Sequence, residues 1–221
     1  MRFLEERRQV LAAAREISQS GMVMGTWGNV SMRCPEPELM LITPSGVDYQ
    51  LMSMEDMVLL DSSYRIREGS YKPSIETPLH MEIYRNREGV KAIVHVHSIY
   101  ASSFAVARKS IPVILEETAQ VVGHEVPVAE YALCGTQALA TAVLDSLGED
   151  RRAVLLANHG LLAAGVSMED ALRICYVVEK TAQIALYAQE LGGARTLESA
   201  EIVQLYQKFK SYGPSKIVKE E

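Results

Sequence analysis

The sequence predicts a single α/β domain in which short strands alternate with helices. Apolar positions recur at helical spacing over 2–20 and again over 168–190, whereas short apolar runs between turn residues, as at 39–42 and 153–156, indicate strands. The 221 residues contain no internal repeat and no long linker, and this length suits one domain with a substantial core. Short β turns are too numerous for a plain doubly wound fold, so we expect an α/β sandwich.

The N-terminal elements follow from their boundary residues. A first helix is expected over 2–20, ended by Gly21, and a glycine-bracketed turn over 25–31 leads into a short strand. Further strands are expected over 39–42 and 57–60. Ser74 is expected to be the N-cap of a helix through Asn86, with Pro78 in its first turn.

The remaining elements alternate in the same way. We expect a strand over 93–97, a helix over 98–108, an extended segment over 126–131 and a helix over 136–147. Strands over 153–156 and 161–164 flank a His-Gly pair. Ser167 is expected to cap the longest helix, which runs to Glu190, and a last helix covers 197–209.

Composition limits the classes of partner. The net charge of −6 and the absence of a Lys/Arg-dense run argue against nucleic acid. No apolar stretch reaches the roughly 20 residues that cross a bilayer, and the charged first residues do not resemble a signal peptide. Cys34, Cys134 and Cys175 are odd in number and widely spread, which predicts reduced thiols and a cytoplasmic location.

The segment around His95 and His97 carries the strongest functional signal. Ile93, Val94 and Val96 predict a buried strand, on which residues two apart face the same side. Two imidazoles placed in this way can bind one divalent metal ion. The same pattern also suits two buried neutral histidines that each find a hydrogen bond, and spacing alone leaves that alternative open.

Two further residues extend this candidate site. His159 follows an apolar run and precedes Gly160, and Glu76 lies near the expected start of a helix. Three histidines and one glutamate suit zinc or a similar ion, with an exchangeable position if the carboxylate dissociates. The sequence therefore predicts a metalloenzyme.

Six motifs in a fixed order make the chain similar to the class II aldolase/adducin family, and within it to the L-fuculose-phosphate and deoxyribulose-phosphate aldolases. The motifs are Gly-Asn-Val-Ser, Thr-Pro-Ser-Gly, Lys-Pro-Ser-x-Glu, His-x-His-Ser, Asn-His-Gly and Lys-Phe-Lys-x-Tyr-Gly. The resemblance implies a single-domain, three-layer fold over 1–213, with a mostly antiparallel sheet flanked by helices, and a flexible tail over 214–221. It also implies a homotetramer with active sites between neighbouring subunits.

The resemblance assigns roles to individual residues. It implies that His95, His97 and His159 hold Zn²⁺, with Mn²⁺ or Co²⁺ as alternatives, and that Glu76 is a general acid/base that also touches the metal. Such an ion polarises a ketose carbonyl and stabilises the enediolate left by carbon–carbon cleavage. Tyr212 matches a mobile tyrosine that donates a proton near the aldehyde; without the resemblance it reads as an exposed tail residue.

Phosphate binding is implied for a group of turn residues. Backbone N–H groups and short hydroxyls in glycine-rich turns bind phosphate oxygens, and a helix N-terminus favours an anion. Taken alone, each residue only permits tight turn geometry. The matching positions are Gly28, Asn29, Thr43, Ser45, Gly46 and Ser74.

Four positions depart from the fuculose aldolase pattern. Ile75 replaces a phosphate-binding serine, Cys134 replaces a phenylalanine, and Trp27 replaces a frequent glycine. Glu116 replaces an active-site tyrosine; it would serve as an alternative acid/base or bind a hydroxyl-rich aldehyde, or else pair with a cation at a subunit interface. We therefore expect an intact metal site with altered substrate walls.

The expected function is cleavage of a ketose 1-phosphate, similar to fuculose 1-phosphate, into dihydroxyacetone phosphate and a small aldehyde. A sugar-phosphate 4-epimerase, decarboxylase or dehydratase of the same family is the alternative, although Gln120 stands where the epimerase has an aspartate and is no general acid. A non-catalytic assembly domain, as in adducin, would not need all four candidate ligands. His80 is expected behind the ligands or at the surface, and His124 in an exposed loop.

Overall fold

One eight-stranded sheet forms the centre of the molecule, in a computed structural model that describes residues 1–209. The strand order is β4-β3-β2-β1-β5-β8-β7-β6, and every neighbouring pair is antiparallel except β6 with β7. The strands are β1 Asn29–Arg33, β2 Leu39–Ile42, β3 Val58–Asp61, β4 Ile66–Glu68, β5 Ala92–Val96, β6 Val128–Ala129, β7 Ala153–Leu156 and β8 Gly160–Gly165.

Helices cover both faces of this sheet. They are α1 Leu4–Gln19, α2 Thr77–Asn86, α3 Ile99–Ala107, α4 Glu116–Val121, α5 Gln137–Leu147, α6 Met168–Glu190 and α7 Ser199–Phe209, with a short 3₁₀ helix at Met54–Asp56. One core cluster joins α1, α3 and α6 to the sheet, and the other joins α2 and α5 to its opposite face. The three-layer, mostly antiparallel fold expected from the sequence is thus confirmed.

Strand β5 connects the two cores because its side chains alternate between them. Val94 and Val96 point into the core beneath α1, α3 and α6, whereas Ile93 points into the core beneath α2 and α5. His95 therefore lies on the face that α2 and α5 cover. No helix among residues 1–209 is long and apolar enough to cross a membrane.

The predicted helix cap at Ser74 is wrong. Helix α2 begins at Thr77, and Glu76 occupies the N-cap position. The Ser74 N–H donates to Thr43 O at 3.1 Å, and the Thr77 hydroxyl donates to Ser74 O at 2.6 Å. These bonds hold Ser74 in a turn just after β2, so the helix start lies two residues later than predicted. Pro78 lies in the first turn, as predicted.

Two elements were not anticipated from the sequence. Strand β4 is a three-residue edge strand with a bulge against β3, and α4 spans only six residues after the Ile-Pro segment. Both are too short to produce a readable apolar period. The expected flexible tail over 214–221 lies outside the described residues.

Candidate metal centre

Three imidazoles converge at the ends of β5 and β8. His95 and His97 project from one face of β5, and His159 lies in the turn from β7 to β8. The Nε2 atom of His95 is 3.0 Å from Nε2 of His97 and 3.3 Å from Nε2 of His159. Asn158, with φ of 55°, supplies the left-handed residue of that turn. The structure thus brings together the three histidines that the sequence singled out.

The protein environment keeps the rings of His95 and His97 neutral and fixes the orientation of His95. Nδ1 of His95 lies 2.9 Å from Leu161 O, a carbonyl that can only accept, so Nδ1 carries the proton and Nε2 presents a lone pair. Burial lowers the pKa of both His95 and His97 to about 3, and neighbouring histidines add to the shift. Neutral imidazoles with convergent lone pairs are suited to bind a cation.

A buried carboxylate faces the same point. Oε2 of Glu76 lies 3.2 Å from Nε2 of His95, and Oε1 lies 3.7 Å from Nε2 of His159. Asn29 donates from Nδ2 to Oε2 at 2.7 Å, whereas Oε1 has no hydrogen-bond partner among residues 1–209. A carboxylate only 3% exposed, with one oxygen unsatisfied, is costly unless a cation compensates it. The donor set therefore fits a divalent metal.

Two glycines allow the backbone to approach the imidazoles. At Gly160, a Cβ atom would lie 2.3 Å from Val96 O and 3.2 Å from the His97 ring. At Gly28, where φ is +79°, a Cβ atom would lie 2.7 Å from His95 O. Both distances are well below van der Waals contact, so the histidine cluster requires glycine at these two positions.

Glu179 on α6 anchors the segment that follows His97. Its carboxylate accepts hydrogen bonds from the Ser98 hydroxyl at 2.6 Å, from Tyr100 N at 3.0 Å and from Ala101 N at 2.8 Å. It thereby satisfies the free N–H groups at the start of α3 and fixes the exit from β5. Sequence reasoning missed this residue, because nothing local links it to a helix 80 positions earlier.

Glu76, His97 and His159 line a cleft of about 270 Å³, and His95 is buried next to them. Trp27 stands over the opening, with its ring stacked on His97 at a centroid distance of 6.5 Å. Of the residues expected to bind phosphate, five line the cleft: Gly28, Asn29, Ser45, Gly46 and Ser74. Thr43 does not line it; the side chain is fully buried and accepts from Val30 N at 3.2 Å.

The departures from the aldolase pattern divide into two groups. Ile75 and Cys134 line the cleft, and Ile75 is 63% exposed. Burial raises the pKa of the Cys134 thiol to about 12, with the charge of Glu76 adding to the rise. Glu116 is exposed at the first residue of α4 and is not among the residues that line the cleft. Tyr212 lies outside the described residues.

The other two histidines differ from each other. His80 is fully buried, which excludes the surface, one of its two expected positions; the Ser31 hydroxyl lies 2.7 Å from its Nδ1. His124 is partly exposed, near Asp150 at 3.3 Å. His80 is buried because β1, which carries Ser31, packs against α2. A single sequence does not show which strand packs against a helix.

Comparison with known proteins agrees with this geometry. The Class II Aldolase and Adducin N-terminal domain family matches residues 8–186. The chain is 37% identical to a 5-deoxy-D-ribulose 1-phosphate aldolase of Bacillus thuringiensis serovar kurstaki over 96% of this chain and 99% of that one. It is 35% identical to the L-fuculose phosphate aldolase of Escherichia coli K12, with 93% and 94% covered.

A solved structure extends the comparison to the fold. An L-fuculose 1-phosphate aldolase superposes with a TM-score of 0.91 at 35% identity, covering 95% of this chain and 98% of the other. Sequence and fold therefore agree over nearly the whole length, and the chain belongs to the class II aldolase and adducin family, as one of its aldolase-type enzymes.

Proposed function

We propose that this enzyme reversibly cleaves a ketose 1-phosphate into dihydroxyacetone phosphate and a small aldehyde, using a divalent metal ion. The observation that carries the proposal is the meeting of three imidazole Nε2 atoms and one buried carboxylate beside a cleft that His97, His159 and Glu76 line. A single cation bound there would be reached by substrate from one side only. This arrangement suits a Lewis acid that polarises a carbonyl.

The proposed ligands are His95, His97 and His159, with Glu76 as a fourth that can leave. We propose Zn²⁺ as the ion, because three imidazoles and a carboxylate are a donor set that zinc accepts. When bound, the ion would draw electron density from the substrate carbonyl. The ligand that leaves is Glu76, since Oε1 has no hydrogen-bond partner among residues 1–209 and the residue lines the cleft.

Glu76 is the proposed acid and base. Cleavage between C3 and C4 leaves negative charge beside the ketone, and a carboxylate next to the ion can add or remove the proton at that carbon. Asn29 holds the other oxygen at 2.7 Å, so the carboxylate is oriented before substrate arrives. The phosphate would be bound by main-chain N–H groups and hydroxyls at Gly28, Ser45, Gly46 and Ser74.

The substrate walls favour an aldehyde fragment with an apolar end. Trp27 leaves 63% of the residue exposed and borders the cleft. Apolar surface of this kind stabilises a methyl group better than a hydroxyl group. The relatives named above act on fuculose phosphate and on 5-deoxyribulose 1-phosphate, and deoxy sugars of this type carry such a methyl end.

A homotetramer with active sites between subunits is also proposed. Glu116 lies away from the cleft within one chain, and it is exposed on the first turn of α4. It would contribute to a neighbour's substrate wall, as would Tyr212. The mass of the particle in solution, from light scattering, tests the assembly directly: a monomer that is fully active would contradict it.

A panel of ketose 1-phosphates tests the reaction. Aldehyde release from a phosphorylated deoxyketose, coupled to a dehydrogenase, is the expected result, and aldehyde plus dihydroxyacetone phosphate should rejoin in the reverse direction. Release of carbon dioxide, loss of water or inversion at one carbon, without free aldehyde, would instead identify a decarboxylase, dehydratase or epimerase. Gln120, half-buried in α4, offers no acid for the last of these.

Metal content tests the site itself. His97→Ala should lose the ion and nearly all turnover, because it removes one of three imidazole donors. His124→Ala is the matched control, since that imidazole lies outside the cleft beside Asp150. Full turnover of His97→Ala with one ion per chain would refute the assignment of ligands.

A further inference from the structure

Cys134 is a cleft residue that the proposed reaction does not use. Of the three cysteines, Cys34 and Cys175 are buried, whereas Cys134 is partly exposed and lines the cleft. The fuculose aldolase pattern has a phenylalanine here, which offers no donor atom. A sulfur atom among proposed metal ligands differs from such an apolar wall, because a thiolate binds metal ions.

Cys134 lies beside two of the proposed metal ligands. Its Sγ atom, a carboxylate oxygen of Glu76 and a ring nitrogen of His159 all lie within 4.8 Å of one another. One zinc ion holds neighbouring sulfur and nitrogen donors roughly 3.5 Å apart, given bonds of about 2.3 and 2.1 Å. The three donors therefore need to approach one another by at most about 1.3 Å to bind one ion, which a small rotation of the side chains provides.

The carboxylate in this group of three is not satisfied by the protein. Oε1 of Glu76 has no hydrogen-bond partner among residues 1–209, although the residue is only 3% exposed. The neighbouring thiol therefore does not compensate this oxygen. A cation bound between the two groups would compensate the buried carboxylate and would also use a lone pair of the sulfur.

The turn that carries Cys134 is fixed by its neighbours. Thr136 donates to Leu133 O twice, from its main-chain N at 3.3 Å and from its hydroxyl at 2.7 Å. Gly135 has φ of +77°, and a Cβ atom built there would lie 3.0 Å from Ile75 O. The turn thus packs directly against the residue that precedes the proposed acid and base, and its backbone holds the sulfur close to the cleft.

We infer that Cys134 is an additional ligand of the metal ion in the substrate-free protein. Its sulfur binds beside His159 and Glu76, and on coordination the thiol proton passes to solvent. The ion would then have five donors, a number that zinc accepts in catalytic sites. This inference rests on the proposed metal centre, and it adds the class of ion: a thiolate favours zinc and other soft ions over Mn²⁺, which prefers oxygen donors.

Absorption spectra of protein loaded with one equivalent of Co²⁺ test this ligand without any assay of turnover. Bound Co²⁺ gives weak visible bands with any donors, whereas a strong near-ultraviolet charge-transfer band requires a thiolate. We expect the wild-type protein to show both, and Cys134→Ala to lose the near-ultraviolet band. Cys34→Ala is the matched control and should keep it, because Cys34 follows the end of β1 that is remote from Asn29 and the cleft.

Metal affinities, measured by competition with a chelating dye, test the preference for soft ions. Cys134→Ala should weaken Cd²⁺ binding on the order of 100-fold, the average share of one donor in a four-ligand zinc site. It should change Mn²⁺ binding much less, because Mn²⁺ gains little from sulfur. Thermal unfolding of the metal-free variants shows whether the fold is retained. Equal losses of affinity for the two ions at equal stability would overturn the role of the sulfur.

The spectra distinguish failure of this inference from failure of the proposed metal centre. Visible bands without a near-ultraviolet band in the wild-type protein would overturn the inference and leave the metal centre standing. A near-ultraviolet band that persists in Cys134→Ala would assign the sulfur to another cysteine and would overturn it as well. A wild-type protein that binds no divalent ion would refute the metal centre together with this ligand. The wild-type spectrum decides the first outcome even if Cys134→Ala does not fold.

Discussion

Replacing Gly160 by alanine tests how closely the metal centre depends on backbone contact. Gly160 is the first residue of β8 and follows His159 directly, so its Cα lies between the proposed ligands. A Cβ atom built there would be 2.3 Å from Val96 O, 3.2 Å from the His97 ring and 3.3 Å from the His95 ring. The added methyl group would therefore push against two ligands and the strand that carries them.

The size of the effect follows from the contact distance. Carbon and carbonyl oxygen approach to about 3.3 Å at closest, so β5 and the start of β8 must separate by roughly 1 Å. Forcing an extra carbon into a packed site costs about 1–3 kcal/mol. Moving catalytic groups by about 1 Å lowers turnover on the order of 100-fold. We therefore expect weaker metal binding, together with losses of turnover and of stability that are of similar size in free energy.

Metal titration by calorimetry and thermal unfolding of the metal-free protein measure the two effects separately. Gly89→Ala is the matched control, because a Cβ atom there has nothing within 4 Å and its φ is not positive. It should leave both quantities unchanged. A Gly160→Ala protein that binds the ion with wild-type affinity would refute the reasoning, because the imidazoles could not then depend on this contact.

Four other changes probe separate parts of the molecule. Glu76→Gln should keep the metal but slow exchange of the C3 proton of dihydroxyacetone phosphate, measured by deuterium uptake; wild-type exchange would show that another base acts. Glu116→Gln should alter the preference among aldehydes at constant metal content, and an unaltered profile in the synthesis direction would reject its place in the substrate wall. Arg7 is 2% exposed and donates hydrogen bonds to three main-chain carbonyls and a carboxylate. Replacing it by methionine should lower the free energy of unfolding by about 3 kcal/mol, as measured by urea unfolding. A loss below about 1 kcal/mol would contradict this. Because burial lowers the pKa of His80 and His95 to about 3, the unfolded chain binds protons below about pH 6.5 that the folded metal-free chain does not. Stability should then fall by roughly 1.4 kcal/mol per pH unit for each of them as pH drops from 6.5 toward 3, and unfolding midpoints that stay constant between pH 7 and 5 would disprove it.

Local patterns in the sequence predicted those parts of the structure that neighbouring residues determine. The helical period located α1, α5 and α6 to within a few residues, and the side-chain alternation of β5 predicted that His95 and His97 would face one side. These features depend on residues within one element. A sequence displays them without any knowledge of what packs against that element.

Other parts depend on contacts between distant segments. Helix α2 starts at Thr77 rather than at Ser74 because the main chain of Ser74 is bonded to β2, and His80 is buried because β1 offers a hydroxyl opposite it. Glu179 caps a helix that begins 80 residues before it. Such pairings depend on the whole fold, so they could be found only once the sheet order was known.

The antiparallel pairing of β5 with β8 has a consequence for the lifetime of the protein. The proposed donors come from three separate parts of the chain and converge only when these strands lie side by side. An unfolded chain would then retain little affinity for the ion, and nearly all the binding energy would favour the native state. Each tenfold rise in the free ion concentration above the dissociation constant would raise the free energy of unfolding by about 1.4 kcal/mol. Metal supply in the cell would accordingly govern how long each molecule survives, as well as how fast it turns over.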